Sequence, residues 1–298
     1  MRKKALWAIL IILVAAVLWT YRGDLSGKDG SGKGPAEIKE GAPREGLEQK
    51  IMSFTIDGRS SKGVKQWHLE GDAAEIIKDD IHLDNLVAVV YGEEATVNLT
   101  SDRGIYRKGK GEVELVGNVE AVSDSGFYLT TEKAKWSQET KEISTYEAVY
   151  VKDEGMTAVG KGGKANSDEK TAVLNKDVSV RIEPDTKVDC SGSLHIDYNR
   201  NIAIFHEDVV VEDKDGKLFA DKLTVEFDPE TRKLARVTAE GNVKVKRGNS
   251  YTISEKAIYT ESTKSAQLLG KPRVIIDPAE LTEFDNLGKG GDPEGGGR

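Results

Sequence analysis

The sequence predicts an all-β, antiparallel protein built from repeats, on three observations. Short segments of similar form recur at nearly even intervals, each alternates apolar and polar residues with a period of 2, and turn-forming clusters separate them. The recurring segments are Asn85–Tyr91, Leu115–Ala121, Tyr146–Val151, Leu174–Val180, Phe205–Val211, Ala239–Val245 and Gly270–Ile276. Aligned on Val87, Val119, Val149, Val178, Val209, Val243 and Val274, they are spaced by 32, 30, 29, 31, 34 and 31 residues. Seven units of about 31 residues emerge. A second element falls between copies, as at Leu99–Tyr106, Leu129–Trp136, Phe219–Val225 and Ile253–Tyr259, so each unit holds two strands.

Alternation is clear in Val237, Ala239, Gly241, Val243 and Val245 against Thr238, Glu240, Asn242, Lys244 and Lys246. That pattern belongs to half-buried strands. The joints at Ser123–Gly126, Asp213–Gly216, Asp228–Thr231 and Lys246–Asn249 are rich in Asp, Gly, Asn and Ser, which supply tight turns. No segment after residue 48 carries a helical stripe. Two strands in each of seven units give roughly 14–16 strands, too many for a flat open sheet, so a rolled or double-sheet stack is expected.

The first 22 residues differ from the rest. Arg2, Lys3, Lys4 and Arg22 bracket Ala5–Tyr21, seventeen uncharged residues, at the short end of the roughly 17–25 needed to cross a bilayer. A cleaved signal peptide is the competing reading, but Leu18, Trp19 and Tyr21 stand where small residues would precede a cleavage site. The expectation is an uncleaved membrane helix over 5–21, with residues 1–4 as a cytoplasmic tip and the bulk of the chain outside. Residues 22–47 read as a flexible linker, since positions 23–47 hold seven glycines and two prolines. Residues 278–298 read as a disordered tail, with six glycines in the last eleven positions.

Charge and composition exclude several functions. The net charge of the 298 residues is −8, and the chain after residue 22 carries 39 basic against 51 acidic residues, so no nucleic-acid partner is expected. One cysteine, Cys190, leaves no internal disulfide and no cysteine-rich metal cage. His68, His82, His195 and His206 lack the i,i+4 metal pairing, and no nucleophile signature occurs. No catalytic residue, no metal and no cofactor is therefore expected, and the chain is not expected to be an enzyme.

The order of an apolar anchor, a linker, Phe54…Trp67–Ala74…Ile81–Leu86, then Leu99–Gly104 and Leu115–Val119, resembles the LptC family, the bitopic periplasmic component of lipopolysaccharide transport. The resemblance spans residues 1–165 and ends in a glycine-spaced segment, Gly155–Gly162, that includes Gly155 and Gly160. Residues 166–277 resemble further OstA-like repeats of the type shared by LptA and the periplasmic part of LptD. The resemblance implies a β-jelly roll, either one LptC-like roll over 48–165 continued through 166–277 or two stacked ones. It also implies an inner-membrane, single-pass protein with its bulk in the periplasm. Such a protein takes lipopolysaccharide from an inner-membrane ABC transporter of the LptB, LptF and LptG type and passes it to a periplasmic bridge protein of the LptA type.

An exposed acyl methylene costs about 0.8 kcal/mol, so a lipid carrier needs a continuous apolar path. Candidate positions are Val87, Val89, Val119, Ala121, Val149, Val151, Val178, Val180, Val209, Val211, Val243 and Val245. Read from the residues alone, they pack as a closed sandwich core. Under the resemblance they line a groove. The alternative function is a membrane-tethered β-repeat scaffold or adhesion module that binds protein or polysaccharide on its outer face. Unclosed sheets leave strand edges, and the resemblance implies head-to-tail joining through the strands near 51–57 and 266–276.

Overall fold

The computed structural model describes residues 49–59, 63–78, 80–91, 95–107, 109–166 and 168–277. The expected tip, membrane helix, linker and tail lie outside the described residues. Every regular element among those described is a β-strand, and the strands form two compact units that divide between Leu174 and Asn175.

The first unit begins with β1 (Gln49–Arg59), β2 (Lys65–Ile77), β3 (Asp80–Tyr91) and β4 (Thr96–Arg107). It continues with β5 (Glu112–Ser123), β6 (Tyr128–Ser137), β7 (Glu142–Asp153) and β8 (Met156–Asn166), then enters β9 (Thr171–Ile182). From β1 to β8 each strand pairs antiparallel with the next, the pattern expected of strands joined by short turns.

The second unit holds the rest of β9, then β10 (Thr186–Cys190), β11 (Leu194–Asp197), β12 (Ile202–Asp213), β13 (Gly216–Phe227) and β14 (Leu234–Arg247). It ends in β15 (Ser250–Thr260), β16 (Ser265–Leu269) and β17 (Arg273–Ile275). Here two long strands are each broken in the middle. β10 and β11 pair with the two halves of β12. Likewise β16 and β17 pair with the two halves of β15. The second break falls at Gly270, Lys271 and Pro272, where two left-handed residues are followed by one that has no N–H to donate.

Most strands run to 11–14 residues, about twice the common length. They do not run straight. Ladder register shifts near mid-strand between Thr100 and Arg103, Val116 and Val119, His206 and Val209, Phe219 and Lys222, and Glu240 and Val243. Such bulges bend a strand and increase its twist. Left-handed residues mark these points at Asn118, Asp208 and Asn242, and also at Asn85 in β3 and Asp177 in β9. Asn and Asp tolerate that conformation better than other residues with side chains.

The turns follow the sequence. Asp213 Oδ1 accepts from the backbone N–H groups of Asp215 and Gly216 at 2.8 and 3.0 Å, closing the β12/β13 hairpin. Asp228 Oδ1 does the same for Glu230 and Thr231 between β13 and β14. These bonds hold the Asp228 carboxyl below its ordinary value, the Thr231 backbone N–H contributing most.

Candidate functional site

The left-handed residue in mid-strand decides which side chains turn inward after it. Asn118 is followed by Val119, Asp177 by Val178, Asp208 by Val209 and Asn242 by Val243, and each of these valines is 2% exposed or less. In β3 the left-handed residue is Asn85, so its inward successor is Leu86. Leu86, Ala88 and Val90 are accordingly the buried set of β3. Val87 and Val89 sit half-buried on the other face, one residue out of phase with the valine alignment.

The other candidate positions point inward. Val119, Ala121, Val149, Val178, Val180, Val209 and Val243 are buried. Val151, Val211 and Val245 lie half-buried two residues beyond a buried valine, on the same side of their strands. The seventh aligned valine, Val274, lies in β17 and is exposed. Of the two glycines, Gly155 is a left-handed residue in the β7/β8 turn. Gly160 packs closely on Leu174, where an added Cβ would stand 3.1 Å from the leucine Cβ.

In the first unit the inward residues form two adjoining clusters. One comprises Trp67, Val90, Val97, Ala121 and Phe127, with Val151 packed against it. The other comprises Leu86, Ala88, Leu115, Val119 and Ala134, and Leu69 and Leu99 touch both clusters. In the second unit small and β-branched residues dominate the inner face, where Val178, Val209, Ala220, Ala239, Val243 and Ala257 are all buried. Phe205 and Leu223, directly opposite each other in the β12/β13 ladder, and Leu194, opposite Phe205 in the β11/β12 ladder, are its bulky members. These inward residues of the second strand in each pair were not among the candidates. Their alternation, as in Ala220, Leu223 and Val225 around a bulge, was the available signal.

Polar chemistry lies on the outward surfaces. His68 Nδ1 stands 2.7 Å from Asp57 Oδ1, and Lys65 Nζ also lies 2.7 Å from that oxygen, tying β2 to β1. The Lys65 ammonium first and His68 second hold the Asp57 carboxyl below its usual range. His195 and His206 meet edge to face at 5.5 Å between centroids. Among the described residues no group of three or more His, Cys, Asp or Glu is placed to hold a metal. Glu114 is gripped by Lys133 and by Arg107, whose Nη2 lies 2.6 Å away, and Glu240 stands between Lys256 and Lys222 at 2.9 and 3.5 Å.

Two units of long, bulged antiparallel strands, each burying mainly apolar side chains and carrying its ion pairs on the outward side, define an all-β antiparallel protein. Residues 8–183 match the family described as lipopolysaccharide-assembly, LptC-related, and the chain belongs to that family. Residues 187–283 match the LptA/(LptD N-terminal domain) LPS transport protein family. The two matches meet at the turn between β9 and β10. No curated protein matches the chain. Among solved structures, the chain is similar to the crystal structure of LptH, the LptA homologous periplasmic component of the lipopolysaccharide transport device of Pseudomonas aeruginosa. That likeness has 14% identity and a TM-score of 0.35, and covers 41% of this chain and 95% of that one.

Proposed function

We propose that this chain is a non-enzymatic lipopolysaccharide carrier that moves acyl chains along the inner faces of a β-jelly roll of stacked repeats. The observation that carries this reading, beside the family membership, is the composition of the inner face. Val178, Val209, Val243, Ala220, Ala239 and Ala257 give an apolar surface of little bulk. Short side chains leave room for lipid when the layers part, and shelter methylenes worth about 0.8 kcal/mol each.

Residues 5–21 hold the chain in the inner membrane, and its bulk lies in the periplasm. Lipid arrives from an ABC transporter of the LptB, LptF and LptG type and leaves for a bridge protein of the LptA type. The first and the last described strands each offer an edge. Among the described residues β1 pairs only with β2, and it exposes Ile51, Met52 and Ile56. β17 pairs only with β15 and exposes Val274 and Ile275. Unpaired edges with apolar side chains favour strand addition by a partner. The transporter joins at β1 and the bridge at β16 and β17.

Photo-crosslinking from Val119, Val178 and Val243 to lipopolysaccharide in cells tests the inner path. Adducts at those positions and none at outward Thr238 support it, while adducts at Thr238 alone overturn it. Deleting residues 266–298 tests the exit, and is expected to abolish bridge binding yet spare co-purification with the transporter. Retention of both interactions would show that the edges are assigned wrongly.

A further inference from the structure

We infer that Ser254 is a polar binding position on the inner face of the second unit, where its hydroxyl donates to an oxygen borne on an acyl chain a few carbons from the chain's polar end. This rests on the carrier reading above and adds to it a selection among acyl chains. Ser254 lies in β15 directly opposite Val243 of β14. Opposed residues of an antiparallel ladder share one side of the sheet, so Ser254 stands on the inward side with that valine. It is 6% exposed, and among the described residues its Oγ has no hydrogen-bond partner. A buried hydroxyl is nearly always bonded, because leaving it unpaired costs the full desolvation of the group.

The equivalent positions of other strands show what is particular to β15. Each lies opposite the inward residue that follows a left-handed one: Ser101 opposite Leu86, Thr131 opposite Val119 and Ala220 opposite Val209. Ser101 and Thr131 are buried as Ser254 is, but their hydroxyls are engaged by their own strands. Ser101 Oγ donates to the Arg103 carbonyl at 3.2 Å, and Thr131 Oγ1 to the Lys133 carbonyl at 3.4 Å. Ala220 has no hydroxyl to satisfy. Ser254 makes no such bond to the carbonyl two residues ahead, that of Lys256.

The other neighbour of β15 is broken at this point. β17 pairs as far as Ile253, opposite Arg273, and β16 pairs from Lys256, opposite Leu269, so among the described residues Ser254 has a ladder partner on the β14 side alone. Its inward surroundings are hydrocarbon, since Val243, Ala239 and Ala257 are all buried. Two residues away, about 7 Å along the strand, the same side opens at half-buried Thr252 and at exposed Val274 opposite it. An acyl chain lying on this face with its polar end at the opening brings to Ser254 the atoms a few carbons in. A methylene there leaves the hydroxyl unpaired, whereas an oxygen accepts its proton in apolar surroundings, where the bond is stronger than in water. Such a bond is worth about threefold to tenfold in affinity.

Full-length protein in phosphatidylcholine nanodiscs, titrated with diazirine analogues of tetradecanoic acid and of 3-hydroxytetradecanoic acid, provides the test. Light-induced adducts on peptides from β14 and β15, quantified by mass spectrometry, give a half-saturation concentration for each probe. Comparing wild type with S254A cancels the partition of each probe into the disc. Wild type is expected to favour the hydroxylated probe by about threefold to tenfold relative to S254A. S254A should bind the plain probe as wild type does, and S254T, which keeps the hydroxyl, should keep the preference. An equal ratio of the two probes in wild type and S254A overturns the inference and leaves the carrier reading standing. Absence of saturable adducts from either probe on these strands overturns both.

Discussion

Asn118 donates its side-chain amide to Asp102 Oδ2 at 3.0 Å across β4 and β5, and Asn242 donates to Asp221 Oδ2 at 2.9 Å across β13 and β14. In both places a left-handed glycine precedes the asparagine, and an added Cβ would stand 2.3 Å from the carboxylate oxygen. Asn85 makes the same bond to Asp72 at 2.7 Å. The clasp holds the bulge in one conformation, and the bulge decides which residues turn inward next.

Gly241→Ala is therefore expected to destabilise the second unit in two ways. The left-handed backbone costs a residue with a side chain about 1–2 kcal/mol. The methyl group must also displace Asp221 from its bond to Asn242, adding about 1 kcal/mol or more. Gly63 is also left-handed, with φ 79°, but an added Cβ there meets nothing within 4 Å, so Gly63→Ala should incur only the backbone cost. Urea unfolding of the two variants separates the contributions, and equal losses would remove the clasp as a source of stability.

Val243 is 0% exposed, whereas Val87 is half-buried on the outer side of its strand. Val243→Ala removes two methyl groups from a closed site and is expected to cost about 2 kcal/mol, lost transfer energy and cavity together. Val87→Ala should cost less than about 1 kcal/mol, and Leu86→Ala more than Val87→Ala. Equal costs at Val87 and Val243, measured by chemical unfolding, would restore the phase that the valine alignment implies.

The contrast at Val87 shows what the sequence carries and what it does not. Alternation and Asp-rich joints were enough to place the β12/β13 and β13/β14 hairpins, because a period of 2 and a turn signal are both local. Phase in β3 was not legible from hydrophobicity, since Leu86–Val90 is apolar on both sides of the strand. The deciding residue is Asn85, whose match to Asn118 and Asn242 lies in backbone conformation. The inward aromatics Trp67, Phe127, Trp136 and Phe205 were missed for another reason: repeats aligned on valine show where copies agree, and the bulky residues fill places where they differ. The edges near 51–57 and 266–276 come from the family resemblance and not from periodicity, because β1 reads like any other alternating strand; the ladders pair β1 with β2 and β17 with β15.

Cys190 is 5% exposed, and its Sγ lies 3.7 Å from the Gly192 carbonyl oxygen, within donating reach. Burial pushes the thiol above its ordinary value, which keeps it protonated. Since the thiolate is the nucleophile, alkylation by iodoacetamide should require local opening. Labelling followed by mass spectrometry is expected to be at least about 100-fold slower in the native protein than in urea. Comparable native and denatured rates would contradict the buried placement.

Acid sensitivity follows from the two glutamates held between cations. Lys133 first and Arg107 second keep the Glu114 carboxyl below its ordinary value, and Lys256 first and Lys222 next do so for Glu240. A carboxyl whose folded value lies below its unfolded one contributes stability that is fully present above the unfolded value and fades as pH falls through the folded value. The thermal midpoint should therefore hold near neutrality and drop once pH passes below the ordinary glutamate range. Both groups face solvent in part, so Glu114→Gln is expected to cost only about 1 kcal/mol at neutral pH. The same substitution should flatten the acid limb of the midpoint against pH, because the variant has no carboxyl there to protonate. An unchanged acid limb in the double variant Glu114→Gln/Glu240→Gln would place the source of acid sensitivity elsewhere, with Asp57 and its Lys65 and His68 partners the next pair of contacts to test.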